Sequence, residues 1–249
     1  GCPVSEGSHK ACLYQLDNAG FAIKTRDSLY LIDALHEGSK IYGGLSLEAT
    51  ALIRELAEGL SAPVRLVVTH LHPDHAGAGS IRRFAAETPL EVLAADPEIL
   101  SWDLGKAQVR LMALSEDYYL GMDRVRPIPL PHVSPERFNI LHTALRLDAG
   151  GVSVFVSGDG LMDAAIFERN ARHIKNTDAA VCLYSYAFTR RNLAFTRAHI
   201  APKTLVVNHF PLPERDEFDS LNRFKAFTAR ESEGLRILPF VQAGDRLDV

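Results

Sequence analysis

Apolar and polar positions in this chain follow two periods, and the switches between them mark out its elements. Residues 11–16, 20–25 and 28–34 are short apolar runs separated by the turn chemistry of Asp17-Asn18 and Arg26-Asp27. Three strands joined as a β-meander therefore open the chain. Ser46 then offers an N-cap to a helix whose apolar positions Leu52, Leu56 and Leu60 recur every fourth residue, and Gly59 with Pro63 closes it. The run at residues 64–68 reads as a strand, residues 78–87 as a helix and residues 91–95 as a strand. Pro97, at an N1 position, starts a helix through Trp102. Residues 105–119 carry neither period, so a helix and a loop overhanging the site both fit.

The second half repeats the alternation. Strands are expected at residues 125–130, 140–147, 152–156, 179–184, 205–207 and 235–239, with a tight turn at Ala149-Gly150-Gly151 and helices between the later strands. Both halves interleave strands with helices and no low-complexity linker divides them. Residues 1–249 thus read as one domain of the α+β class, two sheets packed face to face with helices outside.

Composition narrows the function classes. With 249 residues, 47% hydrophobic and 23% charged, the chain is long enough to bury a substantial core. A formal net charge of -4 and the lack of a long Lys/Arg run argue against a broad nucleic-acid or membrane surface. No segment approaches the roughly 18 to 20 consecutive apolar residues that span a bilayer. Three cysteines are not a disulfide framework, although Cys2 and Cys12 are close enough in sequence to close a short loop, while Cys182 reads as a buried apolar residue. A cytoplasmic protein is the expectation, with a removed leader before Gly1 as the alternative.

The chemistry concentrates in Thr69-His70-Leu71-His72-Pro73-Asp74-His75-Ala76-Gly77, which follows the strand at residues 64–68. Side chains two apart on an extended backbone point the same way. His70 and His72 are thus expected to close on one ion, while Asp74 and His75, past the bend at Pro73, face a second. Further candidates sit at strand ends. Asp159 follows the apolar run at residues 152–156 between two glycines, where an N-cap is its ordinary alternative, and His209 closes the run at residues 204–208. His132 and His142 compete for a third place on the first ion. His132 is favoured because it lies just beyond an expected strand, whereas His142 falls within one.

Taken together, residues 69–77, His132, Ser157-Gly158-Asp159 and Asn208-His209 resemble the metallo-β-lactamase superfamily. The resemblance extends over most of the chain and implies a four-layer αββα sandwich with metals at one edge of the two sheets. Leu31-Ile32-Asp33 looks like the family's first motif, a structural Asp near the site. Carried over residue by residue, the resemblance gives His70, His72 and His132 to the first ion and Asp74, His75 and His209 to the second, with Asp159 bridging both. It implies two divalent ions, zinc by default with manganese or iron also suited, a metal-bridging hydroxide as nucleophile, and Asp74 as the catalytic group that orients it.

Within the superfamily, the bridging Asp159 looks like the phosphodiesterase, lactonase and thioesterase branches rather than the true β-lactamases. A small-molecule hydrolase is the expectation, a phosphodiester being preferred over a lactone or thioester. An iron-dependent persulfide-type dioxygenase is the alternative from another class, and a binding protein with a retired site would have lost ligands that this chain retains. Leu183-Tyr184-Ser185-Tyr186 stands where tRNA-maturation enzymes carry His-Glu-Ala-Thr, which argues against a long nucleic-acid substrate. Arg190, Arg191 and Arg197 have the chemistry to bind phosphate, and equally that of a solvated helix face. Tyr184 and Tyr186 fit either substrate contact or packing. The substrate-binding residues and the number of subunits, a homodimer included, are left open.

Overall fold

The computed structural model describes residues 10–134, 139–232 and 234–249, so Cys2 and its pairing with Cys12 lie outside the described residues. The elements run β1 (Ala11–Asp17), β2 (Gly20–Thr25), β3 (Leu29–Ile32), α1 (Leu47–Ala57), β4 (Val64–Val68), α2 (Ala78–Glu87), β5 (Leu90–Ala94), β6 (Gln108–Leu111), β7 (Tyr118–Leu120), β8 (Asp123–Pro129), β9 (Thr143–Ala149), β10 (Val152–Val156), α3 (Ala164–Arg169), α4 (Ala171–Ile174), β11 (Ala179–Leu183), α5 (Arg190–His199), β12 (Thr204–Asn208), α6 (Ser220–Glu231), β13 (Arg236–Pro239) and β14 (Arg246–Asp248). None of the described helices is long and apolar enough to cross a membrane.

Two seven-stranded sheets result, ordered β14-β1-β2-β3-β4-β5-β6 and β13-β12-β11-β10-β9-β8-β7. In the first, β1 to β3 are antiparallel and β3 to β6 parallel. The second mirrors this, with β10 to β13 parallel and β7 to β10 antiparallel.

β10 is continuously apolar from Val154 to Val156 because both of its faces are covered there. Val154 and Val156 enter the layer between the sheets with Ile23, Ile32, Val67 and Val181. Phe155, pointing the other way, packs with Phe167, Leu193 and Phe224 under α3 to α6. On the far side of the first sheet, Leu29, Leu31, Leu66 and Val92 meet Ile53 and Ile81 of α1 and α2. Three apolar layers separate four structural ones, which is the expected αββα sandwich.

Ser46 caps α1 as its sequence suggests, accepting the Ala49 N–H. The buried stripe of that helix is Ala49, Ile53 and Leu56, however, because the helix ends at Ala57 and Leu60 lies beyond it. Residues 105–119 are neither helix nor overhanging loop. They supply β6 and β7, the outer edges of the two sheets, and β6 is so exposed that no alternation marks it. β7 pairs with the first residues of β8, the end remote from His132.

Candidate metal centre

The strand directions explain where the chemistry collects. β3, β4, β10 and β12 all end at one edge of the sandwich, the carboxyl ends of the parallel halves, and β8 ends there too because it runs in the same direction as β10. Thr143 at the start of β9 ties this edge together across the sheets, donating its N–H to the Thr69 carbonyl at 3.0 Å.

Asp33, just after β3, organises the ligand loop. Its carboxylate accepts the Thr69 N–H at 2.8 Å and the Thr69 hydroxyl at 2.6 Å, and it lies 2.9 Å from His75 Nδ1. With the hydroxyl proton directed at Asp33, the Thr69 oxygen is the acceptor for His70 Nδ1 at 3.0 Å. Both rings therefore carry their proton on Nδ1 and turn an Nε2 lone pair toward the centre, the arrangement metal-binding histidines adopt.

Three groups of donors converge there: His70, His72 and His132; His70, His75 and Asp159; and Asp74, His75 and His209. His70 Nε2 lies 3.0 Å from His72 Nδ1, and His75 Nε2 lies 3.2 Å from His209 Nε2. Asp159 divides its carboxylate. Oδ1 is 3.3 Å from His75 Nε2 and 3.4 Å from His209 Nε2, whereas Oδ2 is 3.6 Å from His132 Nε2. Asp74 Oδ2 completes the second group, 3.8 Å from His209 Nε2.

These spacings test whether metals fit. Donors about 2.1 Å from a shared ion at tetrahedral angles stand roughly 3.4 Å apart, and the observed separations bracket that value. Buried lone pairs and carboxylates facing one another are costly unless a cation lies between them, and Asp159 Oδ1 is buried without a hydrogen-bond partner among the described residues. The residues fit divalent metal ions. Coordination through His132 Nε2 requires a proton on Nδ1, so the Ser134 N–H now 3.2 Å from that atom must turn aside. The less enclosed members, His72, Asp74 and Asp159, mark the face open to a substrate.

Burial favours neutral His70 and holds its pKa well below the ordinary value. Burial also works against a charged Asp159, but the adjacent His75 and His209 outweigh it and hold that carboxyl far below the usual range.

Local backbone geometry is specialised at the same edge. Asp33 (φ 48°), His209 (φ 66°) and Asn18 (φ 48°) adopt the left-handed conformation, strain of the kind that persists where surrounding bonds over-determine it. The Asn18 carbonyl accepts the His209 N–H at 3.3 Å, and Asn208 Nδ2 donates to the Ala19 carbonyl at 2.9 Å. Gly158 (φ 50°) has no room for a side chain, since a Cβ would lie 2.7 Å from His142 Nε2 and 2.9 Å from Thr69 Oγ1.

All seven sequence-derived candidates thus meet at one place. His132 is held beside Asp159 by a bridge to Gly160, with the Val133 N–H donating to the Asp159 carbonyl at 2.7 Å. His142 precedes β9 instead of lying within a strand, and the return direction of β9 brings it to the same edge. It joins none of the three donor groups; its Nδ1–H donates to the Leu130 carbonyl at 2.7 Å. Tyr186 is packing, fully buried with its hydroxyl donating to the Gly160 carbonyl at 2.8 Å, and Tyr184 stacks on Phe210.

Sequence reasoning missed three neighbours. His36 is buried with neither ring nitrogen hydrogen-bonded among the described residues, and burial, then the nearby His75, pulls its pKa down to about 4. Tyr42 packs edge-on against His209 with centroids 4.1 Å apart, and Asn18 donates Nδ2–H to the Asp74 carbonyl at 3.0 Å. Only His36 carried a signal, its place just past a strand that ends at the ligand edge.

Residues 18–160 match the model of the metallo-beta-lactamase superfamily. Among solved structures, the metallo-beta-lactamase fold protein YhfI from Bacillus subtilis superposes with a TM-score of 0.62 at 12% identity, covering 96% of this chain and 100% of that one. Igni18, a metallo hydrolase from Ignicoccus hospitalis, gives 0.66 at 15% identity, covering 96% and 98%. An isothiocyanate hydrolase from Delia radicum gut bacteria gives 0.65 at 15% identity, covering 96% and 99%. At these identities the likeness is one of fold. No curated protein matches the chain significantly in sequence.

Proposed function

The chain belongs to the metallo-beta-lactamase superfamily, and from that premise we propose that it is a dinuclear, metal-dependent hydrolase of a small substrate. The observation that carries this reading is the division of Asp159, one oxygen toward His75 and His209 and the other toward His132. His70, His72 and His132 would hold one ion and Asp74, His75 and His209 the other, with Asp159 placed to serve both. Zinc suits the imidazole and carboxylate donors, with manganese or iron as alternatives. Bound there, two divalent ions bring the pKa of a water toward neutrality and polarise the group under attack. Asp74, on the open face, orients that water and takes its proton. Asp33 holds His75 in the tautomer the site needs.

An ester-type carbonyl, in a lactone or thioester, is better supported than a phosphodiester. The arginines with phosphate-binding chemistry are engaged elsewhere: Arg190 makes two hydrogen bonds to the Glu231 carboxylate and Arg197 donates to the Glu231 carbonyl, across to the end of α6. Arg191 is exposed on α5, a solvated helix face.

The test is metal analysis of the purified protein, followed by turnover of a homoserine lactone, an acyl thioester, an isothiocyanate and bis(p-nitrophenyl) phosphate. Two metals per chain and hydrolysis of a carbonyl or related uncharged substrate are expected. One iron per chain with oxygen uptake on a persulfide would replace the reading with the dioxygenase. Inactivity toward the whole panel with both metals bound would remove it.

A further inference from the structure

A cavity of about 330 Å³ lies between the loop carrying Tyr42 and the segment at residues 210–222. Its size falls at the lower end of the roughly 300–1,000 Å³ typical of small-molecule pockets. Three residues on its wall also touch the second donor group. Tyr42 packs on His209, Asn18 bonds the Asp74 carbonyl and the His209 N–H, and Phe210 follows His209 in the chain. The cavity therefore adjoins the second donor group through these three residues.

The remaining walls share one chemistry. Leu212, Leu221 and Phe240 supply apolar surface, the charged groups are Asp17, Asp216 and Asp219, and no lysine or arginine among the described residues lines the cavity. Neutral donors hold each carboxylate. Asp17 accepts the Ser46 N–H at 2.7 Å, Asp216 the Ser220 N–H and hydroxyl at 2.6 and 2.8 Å, and Asp219 an Asn222 amide hydrogen at 2.9 Å. Such bonds fix the negative charge in place without cancelling it. Tyr42, whose ring packs on His209, stands between the cavity and the second donor group.

We propose that this cavity is the specificity subsite of the metal centre and takes an apolar, non-anionic group of the substrate, of the size of a medium acyl chain. The assignment rests on the hydrolase reading and refines it. An acyl chain entering the cavity gains by leaving water. A carboxylate entering it meets three fixed negative charges and loses its hydration with no cation in return.

The test separates binding from turnover. With the protein carrying both metals, calorimetric titration of acetamide, butanamide, hexanamide and adipamate (hexanamide with a terminal carboxylate) reads the cavity without requiring any reaction. Affinity should rise about fourfold per methylene, equivalent to ~0.8 kcal/mol, and adipamate should bind at least about a hundredfold more weakly than hexanamide. The p-nitrophenyl esters of the same acids should follow the same order in kcat/KM. Leu221→Trp should flatten the chain-length slope, and Asp219→Asn, which tolerates the left-handed backbone there, should reduce the penalty on adipamate by about fivefold. A flat slope in the wild-type protein, or equal binding of hexanamide and adipamate, would overturn the assignment even if esters are hydrolysed. A clear slope without turnover of any substrate would instead leave the subsite standing and count against the hydrolase reading.

Discussion

The two sheets build their shares of the metal centre in different ways. The first contributes His70, His72, Asp74 and His75 from one loop, and Asp33 beneath it binds both Thr69 and His75. The second contributes His132, Asp159 and His209 singly, each following a different strand, and each depends on register and on contacts across the sandwich. One share is local in sequence and the other is tertiary. The lesson is that the same ligand chemistry has two sources of precision, and perturbing each should fail differently.

The largest effect should come from the residue that joins the shares. Asp159→Asn removes a charge facing both donor groups, and kcat/KM should fall by about three orders of magnitude, ~4 kcal/mol. Metal analysis should show loss of at least one ion while circular dichroism stays native. Full metal content with full turnover would show that the two halves do not need it.

Gly158→Ala probes the contact between the sheets. A methyl group there meets His142 and Thr69 in a left-handed backbone, so stability should drop by about 3 kcal/mol, a fall of roughly 6–12 °C in Tm for a domain of this size. An unchanged Tm would mean that the sheets move apart cheaply.

Asp33→Asn acts on the local share alone. It keeps the shape but weakens the bonds that orient Thr69 and His75, and metal affinity measured by chelator competition should fall by about 10–100-fold. The loss should be larger at the ion served by His75, the ring Asp33 touches directly.

His36→Leu should have the smallest effect, and only in acid. Its folded pKa of about 4 lies below the unfolded value of 6.5, so the folded state binds fewer protons, and stability is complete above the unfolded value and lost as pH falls toward 4. At pH 5.5 that cost is about 1 kcal/mol. Chemical denaturation of the metal-free protein at pH 7.5 and 5.5 should show a smaller acid loss in the leucine variant than in the wild type.

How legible each share was follows from the same contrast. Residues 69–77 betray the ligand loop because their spacing alone brings the donors close. Asp159 and His209 were readable because each follows a largely apolar strand, and strands covered on both faces announce themselves. Expected strand boundaries favour His132 over His142, but for a reason that is only partly right, since His142 precedes β9 and lies at the same edge where β8 ends. Tyr42 and Asn18 left no trace in the pattern. Their part in the site comes from loops brought against His209 and Asp74 by the closure of the sandwich. The edge strands β6 and β7 were equally silent, because a strand exposed at a sheet edge has no core face to enforce alternation.

Local order along the chain was enough to determine the layered α+β architecture, the donor loop and the identity of the ligand-bearing strand ends. Hydrophobic period and side-chain chemistry act over a few residues and survive without knowledge of the rest. Only the tertiary structure decided how the carboxylate of Asp159 is shared, which of two histidines turns a ring nitrogen inward, and that an apolar cavity edged with carboxylates lies beside the second donor group. Those depend on strand register and loop closure between residues from 27 positions apart, Asp159 and His132, to 191 apart, Asn18 and His209, and such distances are set by packing that no local pattern encodes.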